Sequence, residues 1–315
     1  MIAGWVGRSF AKPFPSTDRL ILILFTDSMQ AQRSLVSLAG SNSAKCGYCH
    51  SDSDSSVSTG VFAHMLEPGA YQRMIDHGWR RSGRYCYKPD MRQSCCSSYT
   101  IRLDAAEFQI SKTQRRVLTT MAKYLMGGPK DNNLEAKSAD TAMGSQLPEA
   151  QSFKPPKQTH KIAHSTIPDL VAKAENPSSP GKHELKVVLE RSQYDDVTFA
   201  LYCKYQVKIH GDKIQDLSKE SFERFLVESP ITFQACGFGV APGYGSFHQK
   251  YYIDGKLIAV SVLDILPNCM SAVYFFYDPE YSFLSLGTYS ALREISFTTQ
   301  LNIKSHDLHY YYLGI

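Results

Sequence analysis

Two pairs of cysteines constrain this chain more than any other feature. Cys46-Gly47-Tyr48-Cys49 spaces two thiols as C-x-x-C, and Cys95-Cys96 sets two more side by side. Thiolates at the first spacing can grip one metal centre. An adjacent pair closes a strained ring if oxidised to itself, so one backbone bend must present both Cys95 and Cys96 to a common centre instead. Four thiolates satisfy tetrahedral zinc or an iron–sulfur cluster, and the spacing leaves both open. Five of the eight cysteines lie between residues 45 and 126, with Cys86 as a spare and His50 and His64 as alternative ligands. A disulfide scaffold would be shorter and denser in cysteine, so reduced thiols and a cytoplasmic or nuclear protein are expected.

What lies between the pairs is basic. From Tyr71 to Tyr124 there are eleven Lys/Arg against four Asp/Glu, an excess larger than the whole-chain net charge of +4. A polyanion should therefore meet this region first. Trp79, Arg80, Arg81, Arg84 and Lys88 form its centre. Arginine offers a planar fork for phosphate, and tryptophan a face on which an unpaired base can stack. Arg115, Arg116 and Lys123 read instead as an ordinary helix surface.

Composition divides the 315 residues into four zones. Residues 1–44 are a leader whose apolar run, Leu20 to Phe25, is far shorter than a membrane helix, so a strand or a poorly ordered leader is expected. Residues 45–126 are the cysteine-rich, metal- and polyanion-binding domain. Residues 127–182 are rich in Pro, Ser, Lys and Asn and hold one aromatic, Phe153, so a disordered linker is expected. Residues 183–315 read as an α/β domain. Val197, Leu201, Tyr205 and Ile209 make a helical stripe, with Asp195 or Asp196 as cap and Gly211 just past the end. A second helix starts near Ser218 and buries Phe222, Phe225 and Leu226. Gly237, Gly239, Pro242, Gly243 and Gly245 then suggest a long glycine-rich loop. Asp254-Gly255 between two β-rich runs is a two-residue hairpin turn. A strand from Ala272 to Tyr277, a helix from Thr288 to Leu301 and a strand from Leu308 to Leu313 complete the order. That order fits a GNAT-like acyltransferase architecture.

These residues carry a resemblance. Cys46-Gly-Tyr-Cys49, Ile75-Asp-His-Gly-Trp-Arg-Arg-Ser-Gly83, Tyr87-Lys-Pro89, Cys95-Cys96 and Tyr99-Thr-Ile-Arg102 are similar to the N-terminal domain of arginyl-tRNA–protein transferases. Gly243-Tyr-Gly-Ser-Phe-His-Gln249, Asp254-Gly-Lys-Leu-Ile-Ala-Val260, Asp264-Ile-Leu-Pro-Asn-Cys269, Tyr277-Asp-Pro279 and Ser285 to Ile295 resemble the catalytic core of the same family, and that of the related bacterial leucyl/phenylalanyl-type transferases. The resemblance implies arginine transfer from Arg-tRNA to N-terminal Asp, Glu or oxidised Cys of proteins, feeding the ubiquitin-dependent N-degron route. It implies that Cys46, Cys49, Cys95 and Cys96 hold an iron–sulfur cluster, with zinc as the alternative. With a tRNA as the polyanion, the forks and stacking face of Trp79, Arg80, Arg81, Arg84 and Lys88 are what its single-stranded end would need. In the family the last strand runs on into further elements. The expectation here is a C-terminally shortened domain with an open strand edge, whose alternative role is a catalytically impaired tRNA- or partner-binding regulator.

Making an amide from an ester needs no covalent nucleophile. It needs a base for the amine, a donor for the oxyanion and a contact for the guanidinium. His248, Asp264, Asp278 and Glu294 are the expected amine or guanidinium contacts, with Tyr252, Tyr251 or Tyr274 as donors. Only Gly287 marks the stretch where a CoA enzyme would carry a glycine-rich pyrophosphate loop, so a donor other than CoA is expected.

Overall fold

The computed structural model describes residues 20–23, 34–128, 165–176, 181–236 and 243–314. They form two sheets. The first comprises β1 (Leu20–Ile23), β2 (Ser34–Ala44), β3 (Ser56–Met65), β4 (Arg80–Ser82) and β5 (Tyr85–Pro89), in the order β1-β2-β3-β5-β4. Helix α1 (Pro68–Asp76) follows β3. Proline sits in its first turn, where no intrahelical donor is lost, and Ala70, Tyr71 and Ile75 are buried. Two strands thus arise within the expected leader; its other residues, 1–19 and 24–33, lie outside the described residues.

The second sheet runs β6 (Ile101–Asp104), β12 (Tyr310–Leu313), β11 (Cys269–Tyr277), β10 (Lys256–Ile265), β9 (Gly243–Ile253), β7 (Leu185–Arg191), with the short β8 (Gln234–Ala235) pairing with the start of β9. Asp254 and Gly255 both take positive φ, 50° and 78°, the primed turn that suits a right-twisted hairpin. Expected features that differ have identifiable causes. β7 carries no clear alternation and escaped the sequence reading. Gly243 and Gly245 belong to β9 rather than to a loop; a Cβ on Gly243 would lie 2.2 Å from the Gln234 carbonyl oxygen, so glycine admits β8. Residues 237–242 of the expected loop lie outside the described residues. β12 is no open edge, because β6 pairs antiparallel along its far side.

Three helices cover one face of this sheet: α2 (Lys112–Leu125), α3 (Ile167–Glu175) and α6 (Leu286–Asn302). Met121, Leu125, Val171, Leu292 and Ile295 are buried there with Phe247, Tyr251 and Leu263 of the sheet. Arg115, Arg116 and Lys123 stay on the exposed side of α2. Helix α3, capped by Thr166 and Asp169 in a reciprocal box, falls inside the expected linker. Its buried Ile167, Val171 and Ala174 explain why it is ordered. Residues 129–164 and 177–180 lie outside the described residues.

On the other face lie α4 (Asp196–Tyr205) and α5 (Lys219–Phe222), each running on into a π-turn, 206–210 and 223–227. Asp195 caps α4 and Gly211 ends the π-turn in the left-handed region. The π-turn rotates Ile209 out of line, and Val197 at the first turn is 63% exposed. Leu201, Tyr202, Tyr205, Phe222 and Leu226 form the core against Val260, Val262 and Phe276. A third cluster joins the sheets, with Val61, Tyr71, Ile75 and Cys86 meeting Ile231, Leu266, Cys269 and Tyr312. β6 and α2, both within residues 45–126, pack with the second sheet. Among the described residues no helix is long and apolar enough to cross a membrane.

Candidate functional site

The strand β2 ends just before Cys46, and a turn folds Cys49 back toward it. His50 takes φ 52° there and donates its amide to the Cys46 carbonyl. On the other side, Cys95 donates its amide to the Ser55 carbonyl at 3.0 Å, and Ser94 exchanges hydrogen bonds with the Val57 backbone. These bonds bring four sulfurs together. The Sγ atoms of Cys46, Cys49, Cys95 and Cys96 all lie within 4.8 Å of one another, and Cys49 and Cys95 are 3.4 Å apart. The Cys49 backbone N–H draws the Cys46 thiol down to about 7, whereas the neighbouring thiols push Cys96 up to about 12.

Tetrahedral zinc with bonds of about 2.3 Å would set its sulfurs roughly 3.8 Å apart. The donor set therefore fits a single metal ion. An iron–sulfur cluster interposes its own irons and sulfides and needs wider separation. Cys86 is fully buried opposite Arg81 on the β4–β5 ladder, outside the cluster, and burial pushes its thiol up to about 12. His64 bonds Ser37 and is no ligand.

The basic block splits in two. Arg84, about half exposed, pairs with Glu228 at 3.2 Å, and Lys88 is exposed. Trp79 packs partly buried against the cluster between the sheets. Arg80 and Arg81 are buried, against the expectation of a solvent-facing polyanion surface. Arg81 reaches into the second sheet. Its Nε donates to Asp264 Oδ2 at 2.7 Å and its Nη2 to Oδ1 at 2.6 Å, while Ser246 also donates to Asp264 and Ser229 bonds Ser246. Asp264 is thus saturated as a carboxylate, not free to meet an amine. Together the pair joins the two sheets.

Beyond this clasp, the alternation of β9 puts Ser246, His248 and Lys250 on one face of the sheet. Opposite them in register on β7, Glu190 lies beside His248. His248 is fully buried, and its Nε2 lies 2.9 Å from the Leu226 carbonyl oxygen in the second π-turn. A carbonyl only accepts, so Nε2 carries the proton and Nδ1 keeps its lone pair. Nδ1 has no partner among the described residues. Burial lowers the His248 pKa, so the ring is neutral near pH 7. Lys250 is held between Glu190 and Asp195 at 2.5 and 2.6 Å, and both carboxylates keep it charged. Tyr252 continues the same alternation, half-buried.

The other expected contacts lie elsewhere. Glu294 on α6 is buried beneath the opposite face, accepting from Ser261 at 2.7 Å and Tyr311 at 2.6 Å. Burial raises its pKa to about 7. Tyr251 shares that side and donates to Gln249. Asp278 bonds the Glu280 amide at the start of the 3-10 turn 279–284 and binds Lys204 and Lys256, at 2.6 and 2.9 Å, so it is a structural anchor. Tyr274 lies 3.4 Å from Gln206 under α4. Ser246, Glu190 and Lys250 carried no individual role in the expectations from sequence, and Asp195 only that of a helix cap. Polar residues at every second position of an otherwise apolar strand were the available signal.

Residues 44–116 match a family model described as the N terminus of arginine-tRNA-protein transferase, and residues 197–315 match the model of its C terminus. Arginyl-tRNA–protein transferase 1 of Drosophila melanogaster is 34% identical, over 89% of this chain and 76% of that protein. Arginyl-tRNA–protein transferase 2 of Arabidopsis thaliana is 29% identical, over 89% and 70%. An aspartate/glutamate leucyltransferase of Pseudomonas aeruginosa is 25% identical, over 78% and 73%.

Proposed function

We propose a function from one premise: the chain belongs to the arginyl-tRNA–protein transferase family. It is an aminoacyltransferase, and the family's named reaction moves arginine from tRNA to a protein. We infer further that the acceptor is the α-amino group of a protein beginning with Asp, Glu or oxidised Cys. The name of the Pseudomonas relative, an aspartate/glutamate leucyltransferase, supports an acidic first residue. The arginylated product then enters the ubiquitin-dependent N-degron route, in cytoplasm and nucleus.

The observation that carries the chemistry is the neutral, unpartnered Nδ1 of His248. The acceptor's α-ammonium gives a proton to that nitrogen, and the free amine attacks the arginyl ester carbonyl from about 3–3.5 Å. As the N–C bond forms, the C–O bond to the terminal ribose breaks. A second amine proton goes to the departing ribose oxygen, and His248 releases the first to solvent. Tyr252 is the proposed donor to the carbonyl oxygen. Glu190 beside Lys250 offers a carboxylate for the arginyl guanidinium, whereas Asp195 is already held by Thr198 and Lys250. Arg84, Lys88 and the partly exposed Trp79 meet the tRNA end.

The sulfur spacing at Cys46, Cys49, Cys95 and Cys96 supports a single tetrahedral ion, zinc by its preference for thiolates, over the iron–sulfur cluster that the resemblance implies. The centre would fix residues 46–50 against 94–96, beside the basic block. The proposal for His248 is tested by single-turnover transfer from labelled Arg-tRNA to a peptide beginning with Asp. His248→Gln should slow transfer by about 10²–10⁴-fold and leave tRNA affinity intact. An unchanged rate would exclude His248 as the base.

A further inference from the structure

The second sheet ends on an open strand. β7 is the last strand in its order, and among the described residues no element pairs along its outer side. β9, its inner neighbour, is buried along nearly all of its length, whereas no residue of β7 is buried. Lys186 and Arg191 are exposed, and the rest of the strand is half-buried.

The ladder to β9 fixes which backbone groups face outward. The Asp254 amide donates to the Glu184 carbonyl at 3.0 Å, and the Ser192 amide to the Ser246 carbonyl at 3.3 Å. Between these two bonded pairs the register runs without a shift, and bonded pairs in an antiparallel ladder fall on every second residue. Lys186, Val188 and Glu190 therefore turn their N–H and C=O toward β9. Leu185, Val187, Leu189 and Arg191 turn theirs outward, and these groups have no backbone partner among the described residues. Proteins commonly guard such an edge with a proline, a bulge or a covering element. β7 has no proline in its seven residues, no register shift and no cover among the described residues. It is a template for one more strand.

We infer that β7 receives the acceptor protein as an added antiparallel strand, holding by its backbone the segment that follows the first few residues. The inference rests on the proposed transfer to a protein α-amine and adds the surface that holds that protein. Position favours this occupant. Glu190, near the end of β7, is the register partner of His248. An antiparallel guest starts at that end, beside Arg191, and runs toward Leu185; a parallel guest would start at Leu185 instead. The guest lies about 4.8 Å outside β7 and so roughly 10 Å from β9. Three extended residues at about 3.3 Å each span that gap, which leaves the fourth as the first to pair. The residue that pairs on the edge is thus not the one that reacts. Chemistry favours the same occupant. Main-chain bonds hold segments of many sequences, which serves a reaction defined at the amino end of proteins and not by the side chains behind it.

The experiment uses the unaltered chain, saturating Arg-tRNA and peptides that begin with Asp. As the peptide grows from three residues to ten, kcat/KM should rise by about ten- to a hundredfold in all. In the ten-residue peptide, N-methylation from the fourth residue onward should cost about three- to tenfold at every second position and little between. Hydrogen exchange locates the strand. The Val187 and Leu189 amides should exchange fast in the free protein and slowly when the ten-residue peptide saturates it, while Val188 stays slow in both. A rate independent of peptide length, or N-methylation losses without a period of two, would overturn the strand pairing. Val187 and Leu189 amides that are already slow in dilute free protein, or that the peptide leaves unchanged, would overturn its placement on β7. Protection that grows with protein concentration alone would overturn it too, in favour of a second copy of the chain. A folded protein that binds Arg-tRNA but modifies no peptide of any length would instead sink the transfer reading on which the inference rests.

Discussion

Arg81 and Asp264 stand 183 positions apart in the chain, yet meet at 2.6 Å with almost no solvent contact. Breaking one side of such a pair leaves a bare buried charge, which costs about 3–5 kcal/mol. Arg81→Leu should therefore lower the unfolding free energy by that order in denaturant titration. Adding Asp264→Leu should recover part of the loss; a single-variant loss below about 1 kcal/mol would contradict a buried clasp. Glu294 gives a pH signature. Burial raises its folded pKa to about 7, from an ordinary 4.5. Between those values the folded state holds the proton that the unfolded state has released. Stability from this group is thus complete below the unfolded pKa and falls as pH rises through about 7, a loss on the order of 3 kcal/mol. Glu294→Gln should flatten that fall when denaturant midpoints at pH 5 and pH 8 are compared. An identical pH slope in both proteins would refute the assignment.

At the scale of elements, the tightest approach is between the β4–β5 turn and the π-turn after α5. Gly83 has φ +58°, and a Cβ there would sit 1.8 Å from the Arg224 carbonyl oxygen. Gly255 has φ +78° with open space around it. Gly83→Ala should therefore cost clearly more than Gly255→Ala, which suffers only the backbone strain of about 1–2 kcal/mol. Equal losses in melting temperature would show that the turn does not abut the π-turn. The same contrast explains what could be read from sequence. The Asp254-Gly255 hairpin, the Ser218 cap and helix α6 follow from residues within a few positions of one another, and were legible. The π-turn that rotates Ile209 outward, and the glycine at 243 that admits β8, depend on partners that no local pattern names. Helix α3 was hidden because its short apolar face sits in a stretch whose overall composition reads as linker.

Over the whole molecule, the cysteine pairs were legible because four thiols at those spacings serve few other purposes. The candidate site was only partly so. His248 and Asp264 were singled out together from the sequence, whereas the burial of Arg80 and Arg81 and the pairing of Arg81 with Asp264 emerge only when the first sheet is docked on the second. Residues 45–126 are tied into the second sheet by β6, α2 and the Arg81 clasp, so the four-cysteine cluster and the face that carries His248 are joined through the same packing. Cys95→Ser or Cys96→Ser should abolish metal binding measured by elemental analysis, whereas Cys86→Ser should retain one equivalent. The sulfur spacing predicts a colourless zinc protein; visible absorption with several irons per chain would contradict it. Arginine transfer is read most directly by mass spectrometry of an acceptor peptide. Purified protein, Arg-tRNA and a peptide beginning with Asp should yield a peptide heavier by one arginine residue, with fragment ions placing it on the α-amine. An unmodified peptide, in the presence of protein that is folded and binds Arg-tRNA, would contradict the claim and leave a tRNA-binding regulator in its place.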